Sequence, residues 1–254
     1  MVKNGQSRPV PGWVITGNFV DEELGVLRAG KEAGCFLVRR QAEDRYCLLV
    51  RKDYRKWSDR TYNAPVRAGE RQIRRETYSA SLVFLETRQQ RAVTKGNKSS
   101  YGMEILNAAW ERREFDTLHR LWSAGARVPY PVEHFGHGFF MQYIGTVAQA
   151  APRLSDLRLS RSEATSVFDK IVEQLHILAR AGIAHCDLSA YNVLVQHGCP
   201  WIIDVPQAVD LHEHRNGRQL FMRDVEGLCA WFARRGVDAN PKRLGAELLK
   251  GVLT

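Results

Sequence analysis

The stretch that decides the fold reads IAHCDLSAYNVLV at residues 183–195 and is soon followed by WIIDV at residues 201–205. A His-Gly pair at 197–198 lies between two apolar runs, which predicts a loop, a strand, a tight turn and a second strand. This order of elements brings polar residues together at strand ends. We expect three side chains to lie near one another there: Asp187, Asn192 and Asp204.

Oxygen-bearing side chains in this order suit phosphoryl transfer. That reaction needs a carboxylate to position the attacking hydroxyl, and it needs hard oxygen ligands to hold magnesium against a triphosphate. Five positions separate Asp187 from Asn192, and twelve separate Asn192 from Asp204. The competing interpretation is a surface loop with ordinary turn-forming Asp and Asn residues. The complete order of parts favours the catalytic interpretation.

A glutamate interrupts the apolar face of a helix predicted at about residues 102–123. On a wheel of ~3.6 residues per turn, Glu114 lies at the centre of a stripe. The apolar members of that stripe are Met103, Trp110, Leu118 and Leu121. Burying a carboxylate without a partner costs several kcal/mol, so we expect a cation beside Glu114. The alternative is a glutamate at the rim of a groove that reaches water.

Periodic patterns predict the remaining elements. Apolar runs before and after residues 41–44 indicate a small antiparallel sheet with a hairpin at that point. Residues 160–163 fit a capping box that opens a helix, and Gly182 can close that helix as a left-handed cap. Another helix is predicted at about 218–234, with Asp224 on its apolar face.

The motif at 183–205 resembles a known family. HCDLSAYNVLV…WIIDVPQAV is similar to the pattern HGDLSxYNxL…IDxxQ of the RIO family of atypical serine/threonine kinases. The segments GMEILNAAWERREFDTLHRLWSAGARVPYP and RNGRQLFMRDVEGLCAWFARRG also resemble bacterial RIO-like proteins, and the likeness covers roughly residues 25–236. The resemblance implies a protein-kinase-like bilobal α+β fold, with a small antiparallel-sheet N-lobe, a mainly helical C-lobe and no conventional activation segment. It places an arm at 1–19, the N-lobe with an inserted basic segment at 20–143 and the C-lobe at 144–254.

The resemblance also implies roles for single residues. Asp187 would be the catalytic-loop aspartate that orients the substrate hydroxyl, and Asn192 and Asp204 would bind magnesium, or manganese in its place. The metal-binding aspartate of this family has also been proposed to accept phosphate, which makes Asp204 a candidate nucleophile. Glu114 matches the family's helix glutamate, whose expected partner is the lysine of the third strand.

That lysine is Lys52 by its resemblance to a K-x-Y-R arrangement at residues 52–55, although an exposed strand-end charge is the alternative. The ATP-binding segments follow from the same resemblance. The phosphate loop would be Gly30, Lys31, Glu32, Ala33 and Gly34, whose backbone amides can approach phosphates. Met141 and Ile144 would belong to a hinge that meets adenine through backbone groups.

The sequence departs from the family pattern at several positions. Cys186 stands where the family usually has glycine, and Arg28-Ala29 precede the phosphate loop where Ser or Thr is frequent. No DFG and no A-P-E segment is present, which favours RIO over ordinary protein kinases. By analogy Asp224 holds the catalytic-loop backbone, with a helix-surface aspartate as the equal alternative. His185 is interpreted as a structural residue of the loop rather than a metal ligand.

Composition narrows the class of protein and its partners. The 254 residues carry a formal charge of +9, which favours acidic partners such as nucleotides or RNA. Five scattered cysteines without a CxxC pair argue against a disulfide framework or zinc site. No apolar run of the ~18 residues needed to span a membrane is visible, and no signal peptide is visible either, so a cytoplasmic protein without a membrane partner is expected.

Two rival functions remain open. One is a small-molecule kinase of the aminoglycoside or lipopolysaccharide-sugar type, although only fifty residues follow Asp204 to build an acceptor pocket. The other is a catalytically weak ATP-binding factor that binds RNA or a ribosomal precursor, because eukaryotic and archaeal RIO proteins assist small-subunit maturation. Its candidate contacts are Arg67, Arg71, Arg74, Arg75, Arg88 and Arg91.

Overall fold

The computed structural model describes residues 8–30, 33–55 and 100–250, without the side chains of 100–111. Chain contacts divide the protein into two compact units. Unit 1 comprises 1–116 with 130–143, and unit 2 comprises 117–129 with 144–254. Among the helices in the described ranges, none has the length and apolar character that crossing a bilayer requires.

Unit 1 contains a five-stranded antiparallel sheet of order β1-β2-β3-β5-β4. Its strands are β1 (Val20–Ala29), β2 (Ala33–Ala42), β3 (Arg45–Tyr54), β4 (Pro131–Phe135) and β5 (Gly138–Gln142). Ala42 pairs with Arg45, which leaves a two-residue hairpin turn and confirms the predicted connection at 41–44. Strand β4 was not predicted, because the proline-rich segment before it indicated only a break after the helix.

Part of the predicted N-terminal arm packs onto this sheet. Ile15 is buried in a cluster with Cys47 and Leu49 of β3. The ring of Trp13 contacts that of Tyr130 edge-on at 6.1 Å between centroids. These apolar residues have no regular spacing, so their burial left no periodic signal in the sequence.

The helices follow the sequence predictions closely. Helix α1 spans Ser100–Ser123 and α2 spans Arg161–Arg180. The capping box at the start of α2 is present: Ser160 N donates to Glu163 Oε2 at 2.8 Å and Glu163 N donates to Ser160 Oγ at 3.3 Å. One apolar face of α2 is buried as well. Its members are Ala164, Val167, Phe168, Ile171, Leu175 and Leu178.

The end of α2 leads into the segment that carries the sequence motif. Gly182 has φ +68°, the left-handed conformation predicted for the cap. Strand β6 (Ile183–Ala184) follows and pairs with β9 (Val209–Asp210). The chain then passes through a short 3-10 helix at Ala190–Asn192.

A hairpin and two helices complete unit 2. Strands β7 (Val193–Gln196) and β8 (Cys199–Ile202) form the predicted hairpin. Its two turn residues both have positive φ, +51° and +68°, which matches the right-handed twist of a two-residue hairpin. Helix α3 spans Gly217–Ala233, one residue earlier than predicted at each end, and α4 spans Pro241–Leu249.

Candidate active site

A buried ion pair joins strand β3 to helix α1 within unit 1. Lys52 Nζ lies 2.7 Å from Glu114 Oε1, with side-chain exposures of 7% and 1%. The predicted cationic partner of Glu114 is therefore in contact with it, and the groove-rim alternative is wrong. In such a desolvated place the pair is stable only while both charges are present.

Tyr54 is a third member of this arrangement. Its phenol donates a hydrogen bond to Glu114 Oε2, the second carboxylate oxygen. Lys52 and Tyr54 lie two positions apart on β3 and so project from the same face. Sequence reasoning quoted this tyrosine within the K-x-Y-R arrangement but gave it no role. Its spacing of two from the lysine was the available signal.

Aromatic packing fixes the helix against the sheet beside this pair. The rings of Phe115 and Phe139 meet edge-on at 5.8 Å between centroids, and Phe139 is fully buried on β5. Phe139 also pairs with Lys52 across the β3–β5 ladder. Glu114 is therefore held at the sheet surface by its neighbour in sequence.

The predicted phosphate loop is the connection between β1 and β2. Gly30 N donates to Ala33 O at 2.9 Å. A Cβ atom on Gly30 would lie 2.9 Å from the same carbonyl oxygen, which is closer than real contacts, so this position requires glycine. Ala33 and Gly34 already belong to β2, where they pair with Tyr54 and Asp53 of β3. Lys31 and Glu32 lie outside the described residues.

The two predicted hinge residues fall in different units. Met141 lies on β5 and pairs with Val50 on one side and Pro131 on the other. Ile144 is buried in unit 2, and its carbonyl accepts a hydrogen bond from Ala151 N at 3.0 Å. The adenine-binding role of both residues stays a prediction.

In unit 2 a buried carboxylate holds the loop that precedes the motif's polar residues. Asp224, on α3, accepts hydrogen bonds from Cys186 N at 2.7 Å and Leu188 N at 3.1 Å. It is 3% exposed, so the analogy that made it a holder of the loop backbone is confirmed and the helix-surface alternative is wrong. Arg223 donates to the carbonyl of Cys186 from the same helix.

Burial governs the charge of this carboxyl group. Desolvation raises the pKa of Asp224 to about 6, although nearby His185, the two backbone amides and Arg223 oppose that rise. A hydrogen-bonded carboxylate in this position would otherwise have a lower pKa than normal. The group therefore changes its charge near neutral pH.

His185 contacts the same loop through both of its ring nitrogens. Its Nδ1 accepts from Asp187 N at 3.3 Å, while Nε2 lies 3.1 Å from Ile203 O. Because Nδ1 accepts and a carbonyl must receive a proton, the Nε2–H tautomer fits both contacts. The structural role predicted for this histidine is confirmed.

Cys186 occupies a backbone conformation that favours glycine. Its φ is +70°, in the left-handed region. This explains physically why glycine is usual at this position in the family. The thiol is buried and lies 3.5 Å from Ala184 O, so the side chain points away from solvent and is accommodated by the fold.

Two of the three motif residues, Asp187 and Asn192, contact each other at the start of the β7–β8 hairpin. Asn192 Nδ2 donates to Asp187 O at 2.8 Å and to Asp187 Oδ2 at 3.0 Å. Ile203 N donates to Asn192 O at 3.0 Å, which brings Asp204 beside Asn192. Asp187 is exposed, Asn192 is buried and Asp204 is half-buried. The expected closeness of Asp187 and Asn192 is thereby observed.

Asp204 has the second unusual backbone conformation of the motif. Its φ of +65° is rare for a residue with a side chain and costs of order 1–3 kcal/mol. Such strain is frequent at functional sites, since the surrounding structure must maintain it. The residue lies two positions beyond the end of β8, just before Val205.

The donor chemistry here fits a hard divalent cation. Because Asn192 Nδ2 is engaged by Asp187, its Oδ1 is oriented as the amide's acceptor, and Asp204 adds a carboxylate. Magnesium is typically bound by one or two protein carboxylates together with phosphate and water oxygens. Within the described ranges, no three His, Cys, Asp or Glu side chains gather as a metal cluster.

Several predictions fall outside the described residues. The inserted basic segment lies mostly within 56–99, and with it the proposed RNA contacts. These are Arg67, Arg71, Arg74, Arg75, Arg88 and Arg91. The RNA-binding hypothesis stays a prediction.

Comparisons with known proteins identify the family of the chain. A family model described as RIO domain matches residues 72–244, about two thirds of the chain. The RIO-type serine/threonine-protein kinase Rio1 of Haloferax volcanii is 36% identical over 132 residues, which cover 52% of this chain and 44% of that protein. Rio1 of Thermoplasma acidophilum is 30% identical over 141 residues, covering 56% and 73%.

A human relative is matched over a smaller share of its own length. Human serine/threonine-protein kinase RIO1 is 30% identical over 129 residues, which cover 50% of this chain and 22% of that protein. This chain therefore spans less than half of the Haloferax protein and about a fifth of the human one.

Proposed function

Because the chain belongs to the RIO domain family, we propose that it is an ATP- and magnesium-dependent phosphotransferase resembling RIO serine/threonine kinases. The observation that carries this proposal is the hydrogen bond from Asn192 Nδ2 to Asp187 Oδ2, at 3.0 Å, beside the strained residue Asp204. In this arrangement Asp187 provides a carboxylate for the acceptor hydroxyl, and Asn192 and Asp204 provide two oxygen ligands for a cation.

The proposed reaction transfers the γ-phosphoryl group of ATP to a hydroxyl. The hydroxyl oxygen forms a bond to the γ-phosphorus, the bond from that phosphorus to the β,γ-bridging oxygen breaks, and ADP leaves. Asp187 accepts the hydrogen bond of the attacking hydroxyl and takes its proton. Its hydrogen bond with Asn192 keeps the carboxylate in a fixed orientation for this task.

The other residues bind and orient the nucleotide. Lys52 supplies a positive charge to phosphate oxygens while Glu114 holds its ammonium group in place. Asn192 and Asp204 would hold magnesium, which would neutralise the negative charge of the phosphates when bound. The β1–β2 connection at Gly30 offers backbone amides close to the phosphates, since glycine leaves them uncovered.

The acceptor group decides between the remaining alternatives. A serine or threonine phosphate would mark a protein kinase, and autophosphorylation at Asp204 would give an acyl phosphate instead. A phosphorylated sugar or aminoglycoside would support the small-molecule kinase. ATP hydrolysis without transfer would support an ATP-binding ribosome-assembly factor.

Labelled ATP tests the proposal directly. Purified protein is incubated with γ-labelled ATP and magnesium, alone and with ribosomal fractions, aminoglycosides or sugars, and the products are separated. Hydroxylamine releases label from an acyl phosphate but not from phosphoserine. We expect magnesium-dependent label transfer or ATP hydrolysis.

The matched variants are Asp187→Ala and Asp156→Ala. Asp156 is exposed and lies outside the motif, so its variant should keep the wild-type rate. Asp187→Ala should lower turnover by about three orders of magnitude or more. Wild-type turnover in Asp187→Ala would contradict the assigned site.

A further inference from the structure

Glu114 is bonded through both of its carboxylate oxygens to side chains of one strand. Lys52 Nζ donates to Oε1 at 2.7 Å, and the Tyr54 phenol donates to Oε2. Tyr54 is 4% exposed and Lys52 is 6% exposed as whole residues. All three polar groups are therefore held inside unit 1, where water does not compete for their hydrogen bonds.

The two donors differ in how firmly they fix the carboxylate. A lysine ammonium is a compact charge on a flexible four-carbon stem, so it follows its partner. A tyrosine has only two rotatable side-chain bonds, and its hydroxyl lies at the end of a rigid ring. The ring of Tyr54 packs against Phe139 at 6.3 Å between centroids, with an angle of 42°. The phenol is thus the better anchored of the two donors.

The consequence concerns the position of the lysine. Because Tyr54 anchors Oε2, the orientation of the carboxylate is fixed and so is the position of Oε1. Lys52 Nζ binds Oε1 at that position. The ammonium also lies over the ring of Tyr54, 5.6 Å from its centroid, which favours the same position. Tyr54 contacts Lys52 and Glu114 together, so it can act on the lysine in two ways.

We infer that Tyr54 is a positioning residue for phosphoryl transfer, which acts by orienting Glu114 and, through it, Lys52. The inference rests on the proposed function and extends it to a residue with no assigned role. Displacing a catalytic group by about 1 Å can cost about a hundredfold in rate. Loss of the phenol hydroxyl should therefore lower the rate more than it weakens nucleotide binding.

A purely structural role for Tyr54 makes a different prediction. If the tyrosine only fills space and stabilises unit 1, its effect on the reaction should be the same whether or not Glu114 is ionised. If it acts through Glu114, its effect should disappear once that carboxylate is replaced. A kinetic double-mutant cycle separates the two.

The experiment uses Tyr54→Phe, Glu114→Gln and the double variant, with Tyr46→Phe as the control. Tyr46 lies on the same strand with an exposed phenol, so the control makes the same chemical change away from the site. We expect Tyr54→Phe to lower kcat by about tenfold to a hundredfold, with KM for ATP changed less. In the Glu114→Gln background the same substitution should change kcat by less than about twofold.

A second readout keeps the inference separate from the function itself. Urea unfolding of the wild type, Tyr54→Phe, Glu114→Gln and the double variant without nucleotide should show that the midpoint losses of the two single variants are not additive. An active wild type in which Tyr54→Phe has no kinetic effect, or has the same effect in both backgrounds, overturns the inference alone. A wild type that neither transfers phosphate nor hydrolyses ATP overturns the proposed function and the positioning role together, even if the unfolding data show coupling.

Discussion

Two buried carboxylates, Glu114 in unit 1 and Asp224 in unit 2, organise their surroundings in opposite ways. Glu114 is bonded by side chains, Lys52 and Tyr54, and its charge is balanced by an ammonium group at 2.7 Å. Asp224 is bonded by main-chain amides, at 2.7 and 3.1 Å, and its charge is opposed by burial.

The difference separates two ways of building a site. A carboxylate that binds side chains depends on the identity of each partner. One that binds backbone amides fixes the path of the chain and tolerates different side chains along it. At Cys186, Asp224 binds the backbone amide and makes no bond to the thiol, whereas Glu114 depends on the side chains of Lys52 and Tyr54.

The largest effect should come from breaking the ion pair of unit 1. Lys52→Met leaves the buried carboxylate of Glu114 without its counter-charge, and removing one partner of a buried pair costs about 3–5 kcal/mol. We expect a loss of this size in the free energy of unfolding, measured by urea denaturation. Lys242→Met, at an exposed position, should change the stability by less than about 0.5 kcal/mol.

The same pair offers a compensating change. Adding Glu114→Leu to Lys52→Met removes the stranded charge, and replacing a buried ion pair by apolar side chains is often neutral in stability. The double variant should therefore recover part of the lost stability while remaining inactive, because the buried Tyr54 phenol also loses Glu114 as its acceptor. A double variant that is less stable than Lys52→Met would contradict this account of the pair.

The raised pKa of Asp224 in unit 2 should make the stability of the protein depend on pH. The pKa of Asp224 is raised from 3.8 to about 6 in the folded protein, so the folded state binds this proton more tightly. The resulting stabilisation is complete below about pH 4 and is lost as pH rises through 6. A difference of about two pH units corresponds to about 3 kcal/mol.

Asp224→Asn isolates this contribution because the amide does not titrate. The stability of the wild type relative to the variant should fall by about 2–3 kcal/mol between pH 4 and pH 7. Urea unfolding at several pH values measures the difference and cancels other titrating groups. A difference that stays constant, or grows with pH, would show that burial does not govern this carboxyl.

The smallest effect is expected at Cys186. Glycine would relieve the left-handed strain, worth about 1–2 kcal/mol. It would also lose the buried thiol and gain freedom in the unfolded chain, worth about 1 kcal/mol against folding. Thermal unfolding of Cys186→Gly should differ from wild type by less than about 1 kcal/mol, with turnover nearly unchanged. A large gain or loss would mean that the loop is not held chiefly by Asp224.

Local chemistry explains what the sequence could predict. The capping box at 160–163 and the turn at 197–198 involve neighbours in the chain, so their geometry follows from a few residues. Asn192 lies only five positions from Asp187, and a loop of that length keeps them together. The sequence predicted a cation beside Glu114 because this carboxylate interrupts an apolar stripe.

Contacts between distant segments were harder to predict. Tyr54 reaches Glu114 across a separation of 60 residues, and nothing local distinguishes it from a packing tyrosine. The burial of Ile15 depends on β3, and strand β4 depends on pairing with β5. In each case the structure depends on a segment that is distant in sequence, because burial and strand pairing are properties of the assembled sheet.

The most direct test of the central claim compares wild type with Asp204→Asn while magnesium is varied at fixed ATP. Asparagine tolerates the left-handed backbone at this position, so the substitution removes only the carboxylate charge. We expect wild-type phosphoryl transfer to rise with magnesium to a plateau, and the variant to remain about a thousandfold slower at every concentration. Equal rates for the two proteins at all magnesium concentrations would contradict the assignment of Asp204 to the reaction.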